Sequence, residues 1–433
     1  MASERALPLR LEQVTQAAPG NARPRLDYLD GLRAVAALLV IILHSYETLG
    51  LGIRLHDRLG LAREPGALTL SAFGRLISLS FPLVEKVSSL AVPIFIVISG
   101  YSLMLPLVYI TEGTPKLDPI RFFTRRARRI LPPYFAALLL SLLICAFVPG
   151  MNKPDGVLWD LALPALDVRS IVSHVFLIQN ASGATEFTID PPMWSIAVEW
   201  QIYLLFPLLV LIWRAWGVTR LLALALVVGV LPVYLPLTIL PLSDTWFIGL
   251  FAIGMIGASI AHGRRPEQVR WRTLLPWGWV AIGAAGAIVV VPRLLRWSFG
   301  LLDPGWIGDY ALAFAVAAAL VFCANTCCGE PRHQPLLLRG LRQPWLVAIG
   351  GFSYSLYLLH VPVLSLVARA SLSQGLPITT GYAIIFAAGI PLAFLASYLF
   401  FLVFERPFLS HGAARNDFAT APAEITARDV ARL

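Results

Sequence analysis

Arg33 and His44 stand eleven positions apart inside one apolar run, GLRAVAALLVIILHSYE. A helix turns about 100° and rises about 1.5 Å per residue, so both side chains return to nearly one face, about 16 Å apart along the axis. One face of a membrane helix then presents a cation near one boundary and an imidazole near the other. Ionisable groups in lipid are costly and usually functional, although an Arg can snorkel to head groups and a His can bond between helices.

A second polar stripe lies in PPMWSIAVEWQIYLLFPLL, where Ser195, Glu199 and Tyr203 recur at one-turn spacing. If this span runs antiparallel to the first, Glu199 sits at a depth comparable to His44. A carboxylate beside an imidazole fixes its tautomer and raises its basicity, which suits a general base. The expected catalytic pair is therefore His44 with Glu199, and the structural alternative is an interhelical hydrogen bond. Ser353, Tyr357 and His360 in GFSYSLYLLHVPV form a third stripe. It suits the wall of a wet cavity and equally interhelical bonding. In AVPIFIVISGYSL, Ser99 and Tyr101 flank Gly100, small and polar groups that permit close helix approach.

The segment RFFTRRARRILPPYF carries Arg121, Arg125, Arg126, Arg128 and Arg129. Guanidinium groups pair bidentately with phosphate, so this cluster suits the nucleotide end of coenzyme A; topological anchoring accounts for the same charges. No metal triad, phosphate loop or nucleophile elbow is present in the sequence. Cys145, Cys323, Cys327 and Cys328 lie in or beside apolar runs without zinc-site spacing and read as packing residues.

The elements that must position these groups follow from composition. The 433 residues are 58% apolar and 14% charged, whereas soluble domains carry roughly 25% charged residues. Apolar runs near 31–52, 87–110, 131–149, 195–213, 219–237, 245–262, 274–292, 309–328, 345–369 and 378–404 each approach the ~20 residues that span a bilayer. Backbone groups must pair within lipid, so these runs predict an all-α integral membrane protein, a bundle of about ten transmembrane helices. With the N-terminus inside, 23 of the 34 Lys and Arg fall in inner segments and 10 in outer ones, predicting cytoplasmic N- and C-termini. Residues 1–30 then form a cytoplasmic N-terminal segment, 31–408 the transmembrane domain, and 409–433 a cytoplasmic polar tail. The formal charge of +9 follows the same loops and does not point to nucleic acid. The first apolar run lacks a cleavage site and reads as a span. Arg outnumbers Lys 31 to 3, as GC-rich bacterial codon usage gives.

Taken in order, LDYLDGLRAVAALLVIILH, FIVISGYSL, RRARRILPPY, PPMWSIAVEW, FSYSLYLLHVPV and FERPF resemble the motifs of the membrane acyltransferase type 3 family, from about Leu26 to Pro407. Bacterial members of that family O-acylate surface polysaccharides, peptidoglycan, macrolides and related glycans. The resemblance implies a fold of about ten helices and functional roles for Arg33 and His44. It points as well to Arg125, Arg128, Glu199 and Glu405. It implies acyl-coenzyme A, commonly acetyl-coenzyme A, as co-substrate rather than a resident cofactor. Many members carry a fused extracytoplasmic hydrolase-like domain, whereas the sequence here stops at Leu433. Direct transfer and hand-over to a separate extracytoplasmic partner are both open.

The expectation is an acyl-coenzyme A-dependent O-acyltransferase of a bacterial inner (plasma) membrane, acting on a carbohydrate or glycolipid hydroxyl. Arg33, Arg125 and Arg128 would hold the donor. His44 would be base or nucleophile, and Glu199 would orient it. Ser99, Tyr101, Ser195, Tyr203, Ser353, Tyr357, His360 and Glu405 would line the cavity among membrane lipids. The competing readings are a transporter or flippase for a lipid-linked glycan, since intramembrane charges also mark substrate pathways, and a membrane sensor without turnover.

Overall fold

A computed structural model describes residues 26–49, 72–108, 117–155, 157–234, 244–299, 305–327 and 334–409. The expected N-terminal segment up to Arg25, the tail beyond Leu409 and Cys328 lie outside the described residues. Asp27–Leu409 forms one compact unit. Among the described residues all regular structure is helical. In chain order the helices are α1 (Asp27–Glu47), α2 (Ala72–Ser88), α3 (Ala91–Val108), α4 (Pro119–Phe147), α5 (Val168–Val175), α6 (Met193–Tyr234) and α7 (Phe247–His262). They continue with α8 (Pro266–Leu274), α9 (Trp277–Phe299), α10 (Gly305–Thr326), α11 (Leu336–Leu341), α12 (Pro344–Gly351), α13 (Ser353–Ser373) and α14 (Ile378–Phe408).

Seven of the described helical runs are long and apolar enough to cross a bilayer, or eight if α7 and α8, bent by 92°, are one broken span. The ten apolar runs expected from sequence map unevenly onto these described helices. The fourth and fifth runs fall on the two sides of a break in α6 at Gly217, whose φ of 80° is a backbone state that a side chain disfavours. The ninth is split at Phe352 into α12 and α13. The stretch between the first two expected spans, 53–86, contains most of α2. That helix carries Arg75, Pro82, Glu85 and Lys86, which hid it from a search for apolar runs. Its Leu76, Leu79 and Leu83 are exposed, while Ile77 and Phe81 are buried. Comparable exposed leucines on α4 (Leu139, Leu143) and α6 (Leu204, Leu208, Leu211) form outward stripes, the surface that lipid covers.

Two contacts fix the part of the bundle that matters for chemistry. Where α3 crosses α7, a Cβ on Gly100 would collide with the Phe251 carbonyl, and one on Gly254 with the Val97 carbonyl. Backbones approach this closely only across glycine, the small-residue packing that substitutes for hydrophobic drive in lipid. On the other side, Ala37 and Ile41 of α1 pack with Ile77 of α2, Leu356 and Leu364 of α13, and Tyr382, Ile385 and Ala393 of α14. The Tyr382 hydroxyl donates to the Tyr46 carbonyl at 2.9 Å, tying the end of α1 to α14. Helix α14 carries π turns at Ile385–Gly389 and Phe401–Glu405.

Candidate active site

Helix α4 begins at Asp118, whose carboxylate caps the Arg121 amide at 3.2 Å, with Pro119 in the first turn where a missing N–H costs nothing. Its buried residues Phe122, Ile130, Pro133 and Tyr134 define one face. Arg126 and Arg129 follow Phe122 at four and seven positions and share that face. Arg125 and Arg128 fall on another, and Arg128 is exposed. Of the arginines in this segment, Arg126 and Arg129 line the cavity described next, while the expected donor residues Arg125 and Arg128 do not; Arg129, like Arg128, is also partly open to the surface. The Arg126 guanidinium lies 5.9 Å from the Phe122 ring centroid and 6.0 Å from that of Tyr203.

These two arginines line a cavity of about 240 Å³ together with Arg33, Glu199 and residues of α3, α6 and α13. Arg33 donates to Asp30 Oδ1 and to Ser102 Oγ, each at 2.8 Å, which aims its guanidinium from α1 toward α3. Ser99 Oγ lies 2.6 Å from the Tyr203 hydroxyl, which donates to Glu199. Ser195 Oγ lies 2.7 Å from the Tyr357 hydroxyl. Tyr354 donates to the Ile130 carbonyl at 3.1 Å and closes the wall beside Ser353. Three guanidinium groups against one lining carboxylate leave the cavity basic, so it suits an anionic ligand.

Of the expected lining residues, Ser99, Ser195, Tyr203, Ser353 and Tyr357 sit on this cavity, as does Glu199. Tyr101, His360 and Glu405 lie outside its lining. Tyr101 is fully buried against α7 and pairs with His262 Nε2 at 2.8 Å. Glu405 accepts from the Ser355 amide at 3.2 Å and from its hydroxyl at 2.5 Å, anchoring the end of α14 to the start of α13.

His44 also stands outside the cavity wall, and its partner differs from the expected one. Its Nδ1 lies 2.7 Å from His360 Nε2, with the two ring planes 12° apart and their centroids 4.9 Å apart. The nearby carboxylate is Glu47 of its own helix, 3.8 Å from His44 Nε2, rather than Glu199. Glu199 points at Tyr203 because the two share a face one turn apart. The ring of Tyr357, on the cavity wall, lies 5.8 Å from that of His360. The imidazole pair thus begins one ring behind the cavity. Arg126 and Arg129 belong to the arginine cluster that the sequence offered for the donor, and their spacing from the apolar Phe122 marks them within it. Asp30, Ser102, Tyr354 and Glu47 were not singled out from sequence as site residues, and no signal marked them.

Among the described residues no group of three His, Cys, Asp or Glu is arranged to hold a metal ion. In the loop between α4 and α6, burial and then Asp244 push the Glu186 carboxyl up to about 7.

The fold and cavity together define a multi-pass helical membrane protein with a basic internal pocket. The chain belongs to the acyltransferase 3 family, described as an acyltransferase domain, which it matches over residues 26–402. It is 25% identical to acyltransferase MdmB of Streptomyces mycarofaciens over 374 residues, covering 79% of this chain and 86% of that one. It is 24% identical to peptidoglycan O-acetyltransferase OatA of Listeria monocytogenes over 297 residues, covering 64% of this chain and 45% of the relative. With O-acetyltransferase OatA of Staphylococcus aureus the identity is 35% over 124 residues, 28% of this chain, and the match spans only 20% of that protein's length. No solved structure matches the chain.

Proposed function

We propose that the protein is a membrane O-acyltransferase that moves an acyl group, acetyl in the simplest case, from acyl-coenzyme A to a hydroxyl of a carbohydrate or glycosylated acceptor. The observation that carries this reading is the placement of Arg33, Arg126 and Arg129 around a cavity that ends one aromatic ring from a paired imidazole. The arginines supply what the phosphates of coenzyme A require, and the imidazole supplies the proton acceptor that an attacking hydroxyl requires. Family membership supports acyl transfer, and the peptidoglycan O-acetyltransferase name of the Listeria relative supports a glycan acceptor. In this reading the protein lies in a bacterial inner membrane with the arginine end of α4 and both termini in the cytoplasm, where coenzyme A is available. The acceptor is taken directly or through a separate extracytoplasmic partner.

Purified protein given acetyl-coenzyme A and candidate glycan acceptors should release free thiol and acylated product. Substrate translocation without thiol release would establish a flippase, and ligand binding without either would establish a sensor. The orientation has its own test. An impermeant thiol reagent applied to intact cells should modify Lys153→Cys, beyond one end of α4, and spare Arg121→Cys at the other.

A further inference from the structure

The hydrogen bonds around the imidazole pair determine more than proximity. His360 is fully buried on α13, and its Nδ1 lies 3.0 Å from the Leu356 carbonyl oxygen. A carbonyl oxygen only accepts, so His360 Nδ1 carries a proton. In a neutral imidazole the second nitrogen is then an acceptor, so His360 Nε2 presents a lone pair. The group facing that lone pair at 2.7 Å is His44 Nδ1, which must therefore be the donor. A neutral His44 with its proton on Nδ1 has its own lone pair on Nε2. That nitrogen faces away from His360, on a side chain 18% exposed, with Glu47 at 3.8 Å.

We infer that His360 is a positioning residue that holds His44 in the Nδ1–H tautomer, so that His44 Nε2 is the nitrogen that takes the proton from the acceptor hydroxyl. The inference rests on the proposed acyl transfer and names its working atom. In the step it implies, the acceptor O–H proton moves to His44 Nε2 as the hydroxyl oxygen bonds to the thioester carbonyl carbon. When the carbon–sulfur bond breaks, the departing thiolate takes that proton from Nε2. Throughout, His44 Nδ1–H stays bonded to His360 Nε2, whose lone pair stabilises the transient imidazolium. His360 touches no reacting atom. It fills the orienting position that a carboxylate occupies in other triads, and does so without placing a charge in the hydrocarbon. The chain Leu356 carbonyl, His360, His44 also explains why the two rings are held parallel, 12° apart, between helices that the α1–α13 core clamps together.

Nitrogen NMR of the detergent-solubilised full chain with ¹⁵N-histidine reads the tautomer directly, the His44 signals being those missing from His44→Gln. The wild type should show His44 protonated at Nδ1 and bare at Nε2. His360→Phe keeps a flat ring but offers no acceptor. It should move His44 toward the Nε2–H tautomer and lower acyl transfer by roughly a hundredfold or more, with acyl-coenzyme A binding retained. His360→Gln, whose amide oxygen can accept from His44 Nδ1, should recover activity to within about tenfold of wild type. A wild-type spectrum with His44 protonated at Nε2 overturns the inference whatever the activities, and stands even if His360→Phe does not fold. Wild-type turnover by His360→Phe with an inactive His44→Gln also overturns it while leaving the proposed function intact. Full turnover by His44→Gln removes the catalytic reading of His44 itself.

Discussion

His44 and His360 are 316 positions apart in the chain, yet one ring nitrogen of each meets the other at 2.7 Å. The contact joins the first described helix to α13, and it sits where the apolar residues of α1, α2, α13 and α14 converge. Tyr357 lies between this pair and the basic cavity. In the proposed reading, the arrangement separates two tasks, anion binding by arginines and proton handling by imidazoles, within one bundle. Each task can be tested apart from the other.

Removing the base should abolish turnover while sparing donor binding. A general base contributes about a hundredfold to ten-thousandfold in rate, so His44→Gln should lose at least a hundredfold in kcat. Glu199→Gln should behave differently, because Glu199 accepts from Tyr203 on the cavity wall and does not contact His44. Its change should appear mainly in KM for acyl-coenzyme A. Steady-state kinetics on both variants decides this, and a Glu199→Gln protein with normal KM and collapsed kcat would return Glu199 to the role the sequence suggested.

Arg126→Ala and Arg128→Ala should separate by the face each residue occupies. A hydrogen bond to a charged group is worth about 1.5 to 3 kcal/mol, so loss of Arg126 should raise the donor KM about tenfold or more. Arg128 is exposed and lines no part of this cavity, so its loss should leave donor KM within about twofold, the small effect of an exposed charge. Equal effects of the two on titrated donor affinity would contradict the cavity assignment.

The α3–α7 crossing should not tolerate a methyl group. Gly100→Ala and Gly254→Ala each drive a Cβ into a facing carbonyl oxygen, and overpacking of this kind costs about 1 to 3 kcal/mol. Gly283→Ala on α9 meets nothing within 4 Å and gains helix propensity, so it should be neutral or stabilising. Thermal unfolding in detergent should rank Gly283→Ala at or above wild type and the other two below it.

Stability should depend on pH through Glu186. Burial, and then Asp244, raise its carboxyl from the ordinary 4.5 to about 7. A folded state that holds its proton more tightly than the unfolded chain is most stable below about 4.5 and loses that advantage as pH rises through about 7. Glu186→Gln cannot ionise. Its melting temperature should match wild type at pH 4 and exceed it at pH 8. The reverse order would show that Glu186 is stabilised as an anion in the fold.

The sequence by itself determined what depends on one segment at a time. Long apolar runs with few charges imply helices in lipid, and the spacing of Arg33 and His44, or of Ser195, Glu199 and Tyr203, places each set on one helical face through the 3.6-residue period. That same period, counted from Phe122, also contained the choice of Arg126 and Arg129 over Arg125 and Arg128, but only once Phe122 was known to be buried. The helix α2 stayed hidden because its charges and Pro82 break the apolar run while its buried face is narrow. Tertiary structure alone decided that His44 meets His360 rather than Glu199, that Tyr101 and Glu405 face other helices, and that Asp30 and Ser102 aim Arg33. A helical stripe fixes the direction in which a side chain points relative to its own axis. What it points at depends on how whole helices are rotated and seated against one another, and in lipid that is set by close packing at sites such as Gly100 and Gly254, which pair residues far apart in the chain.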